Sequence, residues 1–188
     1  EERVVVVEQT SVQRNAIRAI YDAALGGLSK DDESVYVDTA AKIFGRCNTS
    51  DVEPFTYSIG KVRYLSKFVS KQLEKAQDKK LLILATDTNV LEMLGKHFNG
   101  MGISTMDFSA NARLSVDEAK TTKVFLADKL HTRARKPPDE VLEQIGIAVI
   151  YDTDINPISD ILKLREYCPD KSENPRPEVY RLITKGTC

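Results

Sequence analysis

Residues 80–86 read Lys80-Leu81-Leu82-Ile83-Leu84-Ala85-Thr86, and Asp87 and Thr88 follow at once. A nearly all-apolar run of this length, bounded by charge, fits a strand buried on both faces of a parallel sheet. Asp87 or Thr88 can then cap a helix by accepting from its first free backbone N–H groups. Val90, Leu91, Leu94 and Phe98 supply the apolar stripe of that helix, and Asn99-Gly100 offer its end. Just upstream, Val62, Leu65, Val69, Leu73 and Ala76 recur at helical spacing between Lys61 and Asp78. They form the strongest amphipathic pattern in the chain. The lysines around it, Lys61, Lys67, Lys71, Lys75, Lys79 and Lys80, read as an ordinary solvent-facing surface.

Working outward, short apolar runs follow at Ile103–Phe108, Lys123–Ala127, Ile147–Tyr151 and Glu178–Thr184. Toward the start, Arg3–Gln9 is β-branched and strand-like. Thr10 or Ser11 can cap a helix carrying Val12, Ala16, Ile20 and Ala24, stopped by Gly26-Gly27. A second helix is predicted from Val35 to Arg46, and the stretch from Asn48 to Gly60 reads as a connector. Strands alternating with helices predict an α/β fold: an open, mostly parallel sheet with helices on both faces and right-handed crossovers. The expected division is a strand and helical extension over residues 1–60, packing on a lobe over residues 61–188.

Composition narrows the function only coarsely. The 188 residues are 41% hydrophobic and 29% charged, the balance of a globular domain. A net charge of −1 gives no whole-chain attraction to nucleic acid, although a local basic face stays open. Cys47, Cys168 and Cys188 are odd in number and widely spaced, with neither CxxC nor zinc spacing, so no metal site is expected and a reducing compartment fits. No apolar run approaches the roughly 20 residues that span a bilayer. No signal-peptide pattern is present either, and the two ends read as those of a piece of a longer chain.

Several strand ends carry more than generic α/β texture. Leu81 to Thr86 with Val90-Leu91-Glu92-Met93-Leu94 is similar to the block "VLIFSQ…MLDLLEDYL" that opens the second helicase lobe of Snf2 enzymes. Gly102 to Ser109, which includes Asp107, stands where that family has "GI…RLDGST". Ala148 to Pro157, including Asp152 and Asp154, resembles "VIIYDSDWNP", and Asp160 follows at the matching offset. Glu178 to Thr187 is nearly "VYRLITKGT", and Val5 to Gln13 is similar to the "V.V.LSPLQ" segment that precedes the lobe. Each fragment alone is weak, whereas five in the right order over nearly the whole chain are specific. The resemblance implies a RecA-like C-terminal lobe of the Snf2 helicase family.

The departures from that pattern matter as much. An active lobe of the family carries a glycine-rich Ser-Thr-Arg-Ala-Gly-Gly-Leu-Gly-like stretch after a strand. Here the corresponding segment runs Ala127-Asp128-Lys129-Leu130-His131-Thr132-Arg133-Ala134-Arg135-Lys136-Pro137-Pro138, without glycine. Two prolines fix φ and remove N–H donors, so this loop cannot copy a glycine cradle. The family's arginine-finger helix, "QA..R.HRIGQ", aligns with Ile158 to Pro169. Its first arginine then falls on Glu166 and its finger on Pro169, with Arg165 one residue off. One residue on a helix is about 100° of rotation. Such fingers contribute about 10³–10⁵ in rate where they act. No GxxxxGK[ST] loop is present; that motif belongs to a first lobe.

The resemblance therefore implies a lobe without catalytic residues of its own and without a cofactor, ATP entering only through a competent first lobe upstream. The expected role is a protein-interaction scaffold in a nuclear chromatin or gene-silencing factor. Degenerate lobes of that kind occur in silencing proteins of the Morpheus' molecule type and in accessory subunits of histone deacetylase complexes. Two alternatives stay open: the second lobe of a divergent ATP-dependent DNA translocase, and a salt-sensitive nucleic-acid binder without turnover. The latter would use Lys129, His131, Arg133, Arg135 and Lys136 against phosphates of DNA or nucleosomes. Asp152 and Asp154 read first as strand-terminating residues that cap the next helix. His97 and His131 lack the partners of a catalytic arrangement.

Overall fold

The computed structural model describes residues 2–11, 14–15, 60–75, 79–108, 116–129, 139–152, 157–168 and 176–185. In chain order these form β1 (Glu2–Val7), α1 (Gly60–Lys75), β2 (Lys80–Ala85), α2 (Thr88–Gly100), β3 (Thr105–Asp107) and α3 (Val116–Thr121). After them come β4 (Val124–Asp128), α4 (Asp139–Leu142), β5 (Ile145–Ile150), α5 (Pro157–Tyr167) and β6 (Glu178–Thr184). The six strands make one sheet in the order β1-β6-β5-β2-β4-β3, and every pairing is parallel.

Burial on both faces explains the apolar runs. All six residues of β2 are buried, and they alternate between two cores. Leu81, Ile83 and Ala85 face a core shared with Val62, Leu65 and Val69 of α1 and with Leu91, Leu94 and Phe98 of α2. Leu82 and Leu84 face a core shared with Ala119 of α3, Val141 of α4, and Leu164 and Tyr167 of α5. Helices therefore cover both faces, as the strand–helix alternation predicts. Phe125, Phe108 and Tyr167 build a ring stack in the second core, with centroids 4.8 and 5.9 Å apart.

Several boundaries differ from the sequence reading, each for a local reason. α2 ends at Gly100, as predicted, and its closure runs on to Gly102. Gly102 has φ +75°, its N–H donates to the Asn99 carbonyl at 3.0 Å, and the Ile103 N–H donates to the Phe98 carbonyl at 2.9 Å. This is a Schellman closure, which needs the left-handed residue. With its N–H held by the helix end, Ile103 cannot begin the strand, and β3 starts at Thr105. β5 begins two residues earlier than predicted because a bulge at Gly146 separates Ile145 from Ile147. The bulge places these two residues in opposite cores.

Two of the lysines read as solvent-facing are not. Lys80 is buried, and its ammonium donates to the carbonyls of Ala119, Lys120 and Thr122 at 2.9, 2.7 and 2.8 Å. It closes the C-terminal end of α3, where unpaired carbonyls and the helix dipole both favour a cation. Burial, and then the neighbouring Lys123, lower its pKa. Lys61 donates to the Tyr151 carbonyl at 2.6 Å and lies over that residue's ring.

The strand of the first segment is part of this same sheet: β1 pairs with β6 along its length, from Glu2↔Val179 to Val7↔Thr184. After it, the Arg14 N–H donates to the Thr10 carbonyl at 3.0 Å, one helical turn. The rest of the predicted helix toward Leu25, and the one at Val35–Arg46, lie outside the described residues.

Candidate functional site

In an open parallel sheet, ligands bind beyond the carboxyl ends of the strands, where the strand order reverses. Here β2 is that point, with β4 on one side and β5 on the other. The residues leaving those three strands are Thr86, Lys129, and Tyr151 with Asp152. The backbone first ties them together: the Lys129 N–H donates to the Ala85 carbonyl and the Tyr151 N–H to the Leu84 carbonyl, both at 2.9 Å.

The side chains then fill the space between. Both carboxylate oxygens of Asp152 accept the Thr86 N–H, at 3.0 and 2.9 Å. Asp152 thus does not serve as a cap for the helix after it, which corrects the simplest reading of its sequence position. Its carboxylate occupies a backbone donor at the mouth of the β2–α2 loop, the kind of donor that binds anions in related architectures. The Lys129 ammonium lies 2.8 Å from Asp160 Oδ1 and 3.2 Å from Asp152 Oδ1, and also donates to the Asp152 carbonyl. Arg181, in the middle of β6, pairs with the other oxygen of Asp160 and reaches Glu2 Oε1 of β1 at 2.8 Å. Burial works against the Arg181 charge, but the hydrogen bonds of Glu2 and Asp160 outweigh it and raise its pKa.

The result is one chain of charge, Thr86–Asp152–Lys129–Asp160–Arg181–Glu2, that links β2, β4, β5, α5, β6 and β1. Lys129 has a side chain 6% exposed and that of Asp160 is fully buried. This placement withdraws Lys129 from the proposed phosphate-contacting loop: its charge is held between the buried Asp160 and the partly exposed Asp152. Buried charges of this kind persist only when paired and hydrogen-bonded.

The other predicted positions are scattered. Asp107 ends β3, on the far side of β4 from Asp152, and Asp128 is fully buried at the end of β4. Their carboxylates act on Tyr167 instead. Burial first, then Glu166, Asp128 and Asp107, push that phenol up to about 12. Arg165 and Glu166 are exposed on α5, and Glu166 accepts from Lys163 at 2.6 Å. His131, Arg133, Arg135, Lys136, Asp154 and Pro169 lie outside the described residues. His97 packs between α1 and α2 with its Nε2 2.6 Å from Ser66 Oγ. Burial lowers its pKa, as for a histidine that serves packing. Among the described residues no group of three or more His, Cys, Asp or Glu could hold a metal, and no helix is long and apolar enough to cross a membrane.

The C-terminal part of the Fun30 ATPase domain superposes with a TM-score of 0.69 at 12% identity, over 99% of this chain and 85% of that one. The fold is that of a Snf2-type helicase C-terminal lobe. The SWI2/SNF2 ATPase C-terminal domain of Sulfolobus solfataricus agrees, with a TM-score of 0.55 at 11% identity, over 99% and 80% of the two chains. The Pyrococcus furiosus Hef helicase domain matches with a TM-score of 0.51 at 19% identity, over 91% of this chain and 34% of that one. No protein-family model and no curated protein matches the sequence.

At about 100° per residue, Arg165 lies roughly 140° around α5 from Asp160, the residue that faces the strand ends. Its side chain is exposed and stands outside the Asp160 network. The sequence reading missed Thr86, Arg181 and Glu2 as members of the network. The available signal was Arg181 itself, a lone charge inside the apolar run Val179-Tyr180-Arg181-Leu182-Ile183.

Proposed function

We propose that this lobe is non-catalytic and works as a protein-interaction scaffold in a nuclear chromatin or gene-silencing factor. One observation carries the reading. The polar groups at the switch point satisfy one another, with Asp152 on the Thr86 N–H and Lys129 between two carboxylates. An assisting lobe needs donors and cations aimed outward at phosphate. Here the cations are turned inward, Glu166 stands at the family's first arginine position, and Arg165 stands outside the Asp160 network. A lobe that keeps its buried strands while redirecting these charges is suited to packing and to partner binding. It requires no cofactor; ATP enters only with a competent lobe upstream.

The rival reading, the second lobe of a divergent ATP-dependent translocase, draws on the ATPase lobes that share the fold. The test is nucleotide binding and ATP hydrolysis by the longest natural form containing this lobe, with and without DNA or nucleosomes. No turnover by the folded protein supports the scaffold. DNA-stimulated turnover refutes it. If the basic loop binds DNA without turnover, affinity falls steeply with salt and with Arg133→Glu plus Arg135→Glu.

A further inference from the structure

The end strand of a sheet has one side unpaired, and proteins usually blunt such an edge with charge, proline or a bulge. β1 is an end strand of this sheet, and the middle of its edge is not blunted. The Lys185 N–H donates to the Val7 carbonyl at 3.0 Å, so Val7 turns its backbone groups toward β6. Backbone groups alternate in direction along a strand, so the N–H and C=O of Val4 and Val6 point away from β6. Among the described residues nothing bonds to them. Val4 is the register partner of Arg181, which reaches Asp160 of α5, so Val4 and Val6 lie on the α5 face of the sheet. Their side chains are 58% and 60% exposed. Free backbone groups two residues apart, with apolar side chains beside them, accept only another extended strand.

The open edge is complementary to itself. Its outward positions are Glu2, Val4, Val6 and Glu8, a pattern that reads the same in both directions about Val5. A two-fold axis through Val5 and perpendicular to the sheet keeps each side chain on its own face. It sets Val4 against Val6 of a second copy, and Val6 against Val4. Each of these antiparallel pairs exchanges both of its N–H···O=C bonds, and the four valines pack across the seam. The same axis brings Glu2 opposite Glu8 of the second copy. Each carboxylate carries a cation of its own chain, Arg181 on Glu2 and Lys185 on Glu8, both at 2.8 Å, which offsets the like charges. A two-fold interface requires a patch that matches itself in this way. We propose that β1 is a dimerisation edge whose occupant is β1 of a second copy of this chain, joining two six-stranded sheets into one. The edge is open whether or not the lobe assists hydrolysis, so the inference does not rest on the scaffold reading.

The test is sedimentation equilibrium of the full chain from about 1 μM to about 1 mM, the range of weak specific complexes. The wild type passes from monomer to dimer and stops there, because the pairing uses up the open edge. Val4→Lys places a charge on the seam, and Val6→Pro removes an outward N–H without touching the β1–β6 ladder. Each weakens the dimer by about tenfold or more. Both positions are exposed, so circular dichroism is unchanged. Val5→Cys reads the register. Opposite residues of a non-hydrogen-bonded pair have Cα atoms about 4.5 Å apart, within reach of a disulfide. On oxidation this variant gives a covalent dimer on non-reducing electrophoresis, in excess of any that the wild type forms through Cys47, Cys168 and Cys188. A monomer throughout, a dimer indifferent to both Val4→Lys and Val6→Pro, or no excess covalent dimer from Val5→Cys overturns the proposal. So does growth beyond the dimer, because the mated surfaces are then not the same edge.

Discussion

Replacing Asp160 by Asn keeps the shape of the side chain and removes one buried charge. Asp160 is the centre of the strand-end network, with Lys129 2.8 Å from one oxygen and Arg181 on the other. Removing one partner of a buried ion pair costs about 3–5 kcal/mol, because the remaining charge is stranded. Here each cation retains a second carboxylate, Asp152 at 3.2 Å for Lys129 and Glu2 at 2.8 Å for Arg181. Both of those carboxylates are partly exposed, so their compensation is incomplete, and the lower end of the range, about 3 kcal/mol, applies. For a protein of this size that corresponds to a fall of about 6–12 °C in Tm. Urea unfolding followed by circular dichroism reads the change directly as a lower midpoint at unchanged slope. A midpoint shift equivalent to less than about 0.5 kcal/mol, the level of an ordinary surface substitution, refutes the argument. It would mean that the network is open to water and that Lys129 is free to act elsewhere.

Three further outcomes follow from single contacts. Lys80→Met strips the carbonyls of Ala119, Lys120 and Thr122, at the end of α3, of their donor and lowers stability by about 2 kcal/mol, measured by the same urea titration. Gly102→Ala forces a β-carbon into φ +75° and costs about 1 kcal/mol; an unchanged midpoint contradicts the Schellman closure. His97 has a folded pKa below its ordinary value of 6.5, through burial. Its contribution to stability is therefore complete above 6.5 and is lost as pH falls from there through the folded value, where only the unfolded chain binds the proton. Comparing wild type with His97→Gln in urea at pH 7.5 and pH 5 shows a smaller acid loss for the variant.

The fold was legible because β2, β4 and β5 are buried on both faces. Their runs, Leu81-Leu82-Ile83-Leu84 and Ala148-Val149-Ile150 among them, therefore need no alternation and stand out from the charged segments around them. The short helices Val116–Thr121 and Asp139–Leu142 were not legible, because one or two turns give too few positions for a 3.6-residue period to show. The site was half legible. Asp152, Asp160 and Lys129 each fall where a strand ends or a motif predicts. What they bond to depends on which strands become neighbours, and local sequence does not report that. Lys80 misled for a related reason: at the end of an amphipathic lysine-rich helix it looks like one more surface charge. Its true partners are carbonyls about 40 residues downstream.

The pairing of β1 with β6 has a consequence for the order in which the lobe forms. Glu2 and Arg181, which join these strands, are 179 positions apart. At a synthesis rate of about 5–20 residues per second, β1 waits roughly 9–36 s for β6, its strand neighbour among the described residues, to emerge. Over that interval β2 to β5 can already associate. β1 is thus the last of the six described strands to be seated although it precedes the other five in the chain. A ribosome pause or a chaperone acting on the β6 segment sets the time at which the sheet is completed.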